Sequence, residues 1–236
     1  MNTVSQVMTQ LKKKGSEPIR KIFTRHGIDI PMFGVKVGDL KTIAKKIKGN
    51  QALALELYDT GVYDAMYLAG LVADGSQMSK KQLESWAKNA KCDVVSSYPV
   101  TWAATESAHA RELAVKWINS KTPSLALAGW STYAGIVATT PDDELDLDEI
   151  KELLDRAVAQ IDKAPNKVRY VMNGFVISVG GYVKPLLKEA KKAAKTIGVV
   201  DVDMGDTSCQ VPVASAYIEK IEKMGRVGKK RATMKC

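Results

Sequence analysis

The residues able to do chemistry are few and widely spread. The two histidines, His26 and His109, stand in no metal-ligand spacing. His26, in "TRHGID" just before a glycine, suits a helix C-terminus better than a ligand role. Cys92, Cys209 and Cys236 are too far apart for a zinc spacing and odd in number for a disulfide framework. Asp201, Asp203 and Asp206 gather in "DVDMGDTSC" but lack the spacing and downstream glutamate of a calcium loop. A turn-rich connection is the expectation there. There is no G-x-S-x-G and no Gly-rich phosphate loop. What remains is Asp93 in "KCDVVSSYP", near the start of a predicted helix, where it either caps that helix or acts in catalysis. No metal and no cofactor are expected.

Charge is more informative. Residues 1–50 carry 11 Lys+Arg against 3 Asp+Glu, a net of +8; residues 51–150 carry −7; residues 151–236 carry +8. Two basic ends around an acidic middle suggest a polyanion partner. Lys184, Lys188, Lys191, Lys192 and Lys195 recur on one helix face with only Glu189 among them. Such lysines repel one another unless they meet solvent or an anion. Lys41, Lys45, Lys46 and Lys48 repeat the pattern near the N-terminus. The last stretch, "KMGRVGKKRATMKC", includes Lys229, Lys230 and Arg231, has no acidic residue, and reads as a mobile arm able to track phosphates.

The elements that must position these groups are helical. Sustained apolar/polar alternation is absent, and 3.6-residue periodicity is everywhere. Val37, Leu40, Ile43 and Ile47 share a face, as do Ile150, Leu153, Leu154 and Val158. The stripe Val183, Leu186, Leu187, Ala190, Ala194 and Ile197 stops at Gly198. Glycine or proline breakers recur about every 12–20 residues, giving roughly a dozen helices with short connections. "YLAGL" (67–71), "ALAGW" (126–130) and "VMNGF" (171–175) each place a glycine in mid-helix, where it costs about 1 kcal/mol relative to alanine. Close packing against a neighbouring helix is the expected return. The pattern predicts an all-α chain, a HEAT-like or armadillo-type solenoid of helical pairs (an α-α superhelix). A single solenoid domain over 1–225 with a basic tail over 226–236 is expected. No run of about 18 apolar residues marks a membrane span, and the N-terminus lacks a secretory h-region. The cytoplasm is the expected compartment.

In "VRYVMNGFVISVGGYV" (168–183), Met172, Phe175, Val176 and Val179 form a core-facing stripe, with Arg169 and Asn173 on another face and Tyr170 alongside. Arg169 and Asn173 are expected to face a groove. Trp130, Tyr133, Tyr170 and Phe175 are the aromatic candidates for contact with a base or sugar.

"FGVKVGDLKTIAKKIK", "YLAGLVAD", "VRYVMNGFVISVGGYV" and "DMGDTSCQVPVASAYIEKIEKMGRVGKK" together resemble the bacterial DNA alkylation repair proteins of the AlkD-like type, over nearly the whole chain. That resemblance implies a HEAT-like solenoid whose basic concave face cradles duplex or branched DNA. Active members of such a family are metal-independent DNA N-glycosylases that release alkylated purines. In them, tryptophans and a carboxylate contact the lesion nucleotide. Carried over, a tryptophan position falls on Cys92, the catalytic aspartate on Ser96, an arginine on Leu127 and an aromatic on Phe175. Serine has no charge to oppose a developing sugar cation, which leaves Asp93 as the nearby carboxylate. The resemblance therefore supports DNA binding more strongly than base excision. The alternative is a non-catalytic helical scaffold for protein partners or branched DNA.

Overall fold

The computed structural model describes residues 1–235. Among them there is no β-strand; the chain is a succession of helices. Helix starts follow the sequence. Thr3, Asn50 and Asp146 each accept a backbone N–H at the head of a helix, and Ser79 with Gln82 forms a reciprocal capping box. Gly198, at φ 60°, ends the lysine-rich helix where its stripe stops.

Two compact units result. The first comprises residues 1–109 with 204–208 and Lys235. It contains α1 (Val4–Lys14), α2 (Glu17–Arg25), α3 (Val37–Lys46), α4 (Gln51–Asp59), α5 (Tyr63–Val72), α6 (Lys80–Lys88), α7 (Asp93–Val95) and α8 (Thr101–Thr105). A π-helical stretch, Ser96–Val100, joins the last two and contains Pro99. Proline has no N–H to continue an α-helix and crowds the preceding turn, so the widened turn falls where the sequence demands it. Helix α5 is buried nearly all round and packs on α3, α4 and the π-turn. Its Asp64, fully buried, accepts the N–H groups of Phe33, Gly34 and Val35 and so fastens the long 26–36 connection to the core.

The second unit comprises 110–203 and 209–234. It contains α9 (Ala110–Ile118), α10 (Pro123–Thr139), α11 (Leu147–Gln160), α12 (Asn166–Tyr182), α13 (Leu187–Ile197) and α14 (Ala214–Lys223). Helix α10 packs on α9 and α12, α12 on α13 and α14, and α11 on α13. Alternate helices thus form two layers, the arrangement of HEAT-like pairs.

The three mid-helix glycines divide. A Cβ on Gly70 would lie 2.6 Å from Cα of Pro99, and one on Gly129 would lie 2.4 Å from N of Ile118. Both permit close helix contact. Gly174 is different: a Cβ there would meet nothing within 4 Å. The close approach on α12 is made instead by Gly180, against Ile218 of α14. No helix is long and apolar enough to cross a membrane among the described residues.

Candidate nucleic-acid interface

In the first unit, Asp93 occupies the first position of α7 and is exposed. Cys92 precedes it with no side-chain cap hydrogen bond. Three residues on, Ser96 is completely buried, and its hydroxyl has no hydrogen-bond partner. The Ser96 carbonyl accepts from the Thr101 hydroxyl (3.1 Å). Burial pushes the Cys92 thiol up, against opposing backbone hydrogen bonds, so it is a poor nucleophile at neutral pH. Among the described residues, no group of three or more His, Cys, Asp or Glu is arranged to hold a metal ion.

One residue of this stretch escaped the sequence-based expectation. Tyr98, in the π-turn, is 44% exposed. Its ring rests against Tyr67 and edge-on to Trp102, 5.8 Å between centroids. Tyr67, Tyr63 and Phe23 continue the aromatic chain inwards. The signal was the Tyr-Pro pair inside a helical pattern. Lys41 and Lys45, on α3 of the same unit, are exposed, and neither has an ion-pair partner among the described residues.

In the second unit, three of the four aromatic candidates prove to be core. Trp130, Tyr133 and Phe175 are all but inaccessible and pack together, with Phe175 between the other two. The Tyr133 hydroxyl donates a short hydrogen bond to Glu149. Arg111 binds the same carboxylate through Nε (2.9 Å) and Nη2 (3.0 Å), and Nη2 also reaches Asp146 (2.6 Å). Partial burial opposes ionisation of Glu149, but the Arg111 and Tyr133 hydrogen bonds outweigh it and hold the carboxyl below its ordinary value. Part of the acidic middle segment is therefore spent on internal pairing. Leu127 is buried, 2% exposed, and supplies no cation where the resemblance places one. Of the four candidates, Tyr170 alone, 37% exposed, is accessible as an aromatic surface.

The Arg169–Asn173 pair also separates. Asn173 is fully buried, and its Nδ2 donates to the Pro212 carbonyl (2.8 Å). It ties α12 to the segment leading into α14 and faces no groove, which corrects the expectation for that residue. Its spacing from Arg169 is right for one face, but the 209–213 segment covers the second turn. Arg169 is half-buried. Its Nε is shielded from solvent without a hydrogen-bond partner, and no carboxylate pairs with it among the described residues.

Most of the lysine stripe lies on the surface. Lys184, just before α13, and Lys188, Lys192 and Lys195 on it are exposed, and their ammonium groups have no partner among the described residues. Lys191 alone is satisfied, by Glu222 of α14 at 2.8 Å. The C-terminal stretch is not a free arm. Gly228 donates to the Gly181 carbonyl and Arg231 to the Ala138 carbonyl through their backbone N–H groups. Lys230 pairs with Asp142 (2.8 Å) and bonds the Val137 carbonyl. Lys230 is thus a structural cation, while Lys229 and the Arg231 side chain stay exposed. A stretch rich in lysine and glycine carries no periodic signal for such pinning, which is made largely by backbone groups.

The DNA alkylation repair enzyme family model matches residues 7–193. The chain belongs to the DNA alkylation repair enzyme family. Two Listeria proteins, both named only as uncharacterized, are similar throughout. Lin0241 of Listeria innocua is 33% identical, and Lmo0209 of Listeria monocytogenes is 31% identical. Each alignment covers 93% of this chain and 97% of the relative. A solved structure superposes with a TM-score of 0.91 at 36% identity, covering 99% of this chain and 100% of that one. It is described as a new family of proteins related to the HEAT-like repeat DNA glycosylases with affinity for branched DNA structures. These relationships support the AlkD-like resemblance and the HEAT-like fold.

Proposed function

We propose that this member of the DNA alkylation repair family binds DNA through its phosphate backbone and does not excise alkylated bases by carboxylate catalysis. The observation that carries the reading is the row Lys184, Lys188, Lys192 and Lys195, exposed and unpaired. Lysines held on one helical face without counter-charges suit a polyanion, whose condensed counterions are released on contact. Arg169, fixed by partial burial and lacking a carboxylate, offers a second phosphate contact on α12. Lys41, Lys45, Lys229 and Arg231 add cations on their own elements. Tyr98 and Tyr170 are among the exposed aromatics that could meet an unpaired base.

The affinity for branched DNA described for the structural relative supports junctions as the preferred ligand here. On the catalytic side, Ser96 brings no charge to stabilise an oxocarbenium-like transition state. Asp93 lies nearly a turn away at an exposed helix start. Titration of a four-way junction and a linear duplex of equal length, at low and moderate salt, tests the binding. The junction should bind more tightly, and binding to both should weaken steeply with salt. Absence of binding near 50 mM salt would refute the reading. Release of 7-methylguanine from alkylated DNA, abolished by Asp93→Asn, would refute its catalytic half.

A further inference from the structure

The first unit contains a cleft of about 660 Å³ between α2 and the connection that follows it. That volume lies within the range of small-molecule sites. One wall carries Arg20, Lys21 and Arg25 of α2; the other carries Ile28, Asp29, Ile30, Pro31 and Met32. The wall formed by the connection is held in place before any ligand arrives. Asp64 grips the three backbone N–H groups of Phe33, Gly34 and Val35, and the Tyr63 N–H bonds the Pro31 carbonyl (2.9 Å). Helix α2 is pinned from behind by Phe23, edge-on to Tyr63. Gly34, at φ 77°, leaves room for the Arg20 stem, which a Cβ there would meet at 2.6 Å.

The charges around this cleft are not balanced in pairs. Arg20 meets Glu17 at 3.1 Å. Lys21 and Arg25, one turn apart on the same face, have no carboxylate partner, and Asp29 has no cation partner, among the described residues. Like charges at i, i+4 repel. The Asp29 carboxylate does not come close enough across the opening to relieve them. Ile28, Ile30 and Met32 give the wall that carries Asp29 an apolar lining. An occupant that satisfies all of these groups carries an anion for Lys21 and Arg25, a flat or apolar body for the apolar wall, and a hydroxyl or amino donor for Asp29. A nucleoside bearing a phosphate has all three.

We propose that this cleft binds a phosphorylated nucleoside, supplied either as a free mononucleotide or as the 5′-phosphorylated end of a DNA strand. The inference rests on the first unit alone and stands independently of the lysine row on α13. The test uses the full chain and two probes. The first is adenosine 5′-monophosphate, followed by calorimetry. The second is a short fluorescent single strand, compared with a 5′-phosphate and with a 5′-hydroxyl. The phosphorylated strand should bind about tenfold more tightly, the scale of losing charge-assisted phosphate contacts. The Lys21→Gln/Arg25→Gln variant should lose that preference. Both side chains are exposed, so its thermal melt should match the parent. Displacement of the strand by adenosine 5′-monophosphate would make the free nucleotide a sufficient ligand. Retained preference without displacement would assign the site to strand ends. Equal binding of the two strands with no calorimetric signal from the nucleotide would overturn the proposal. So would a preference that survives in the double variant.

Discussion

Gly70 of α5 lies directly against Pro99 of the π-turn: a Cβ at 70 would come within 2.6 Å of the proline Cα. The contact is between backbone and ring, so neither side can yield by rotating a flexible side chain. Gly70→Ala should therefore destabilise by about 1–3 kcal/mol, overpacking outweighing the roughly 1 kcal/mol gained in helix propensity. Gly174→Ala should have the opposite sign, because its Cβ would project into open space. A gain of about 0.5–1 kcal/mol is expected. Denaturant melts of the two variants check both. A stabilised Gly70→Ala would contradict the packing described for α5.

Ser96→Asp, the change that would rebuild the carboxylate implied by the family, should fail as a repair. Position 96 is fully buried, and even the serine hydroxyl has no partner. An ionised carboxylate there should cost on the order of 3–5 kcal/mol, the penalty of an uncompensated buried charge. Burial raises the folded-state pKa of such a carboxyl above its unfolded value. The loss should then be largest above that raised pKa and shrink as pH falls towards the ordinary carboxylate range. Thermal melts at pH 4 and pH 8 read this directly; a variant as stable as the parent at pH 8 would show that position 96 is solvated.

The Arg111–Glu149–Tyr133 network makes a pH prediction of its own. Glu149 is held below its ordinary pKa in the folded chain. Its stabilising contribution is therefore fully present above the unfolded value near 4.5 and is lost as pH falls through the depressed folded value. Glu149→Gln should cost about 1 kcal/mol at pH 7, a modest figure because Arg111 is largely exposed. The difference from the parent should vanish in strong acid. A difference independent of pH would mean that the charge does not contribute.

The C-terminal strap should be structural. Ending the chain at Gly225 removes the Gly228–Gly181 and Arg231–Ala138 backbone hydrogen bonds and the Lys230–Asp142 ion pair. A drop in melting temperature of several degrees is expected, from the loss of about 1–2 kcal/mol. An unchanged melt would restore the reading of this stretch as a free arm.

The helical class, the apolar stripes and the helix end at Gly198 were legible in the sequence because they rest on periodicity and local capping. Gly198 signalled a helix end through its own conformation. The lysine row was legible for the same reason. What periodicity does not encode is which face a neighbour covers. Asn173 and Arg169 share a spacing, yet the 209–213 segment buries one and leaves the other half-open. Trp130, Tyr133 and Phe175 occur near polar residues in sequence, but they meet each other in the core. Tyr98 is the converse: a residue with no periodic signal, brought to the surface by a proline-induced π-turn.

The most direct test of DNA binding through α13 is the salt dependence of junction binding by Lys184→Ala/Lys188→Ala/Lys195→Ala, compared with the parent. All three side chains are exposed and unpaired, so the variant should melt like the parent. Affinity should fall, and the slope of log K against log salt should become shallower by about 1 for each lysine removed, close to 3 in all. An unchanged slope with unchanged affinity would contradict a phosphate-binding role for this helix.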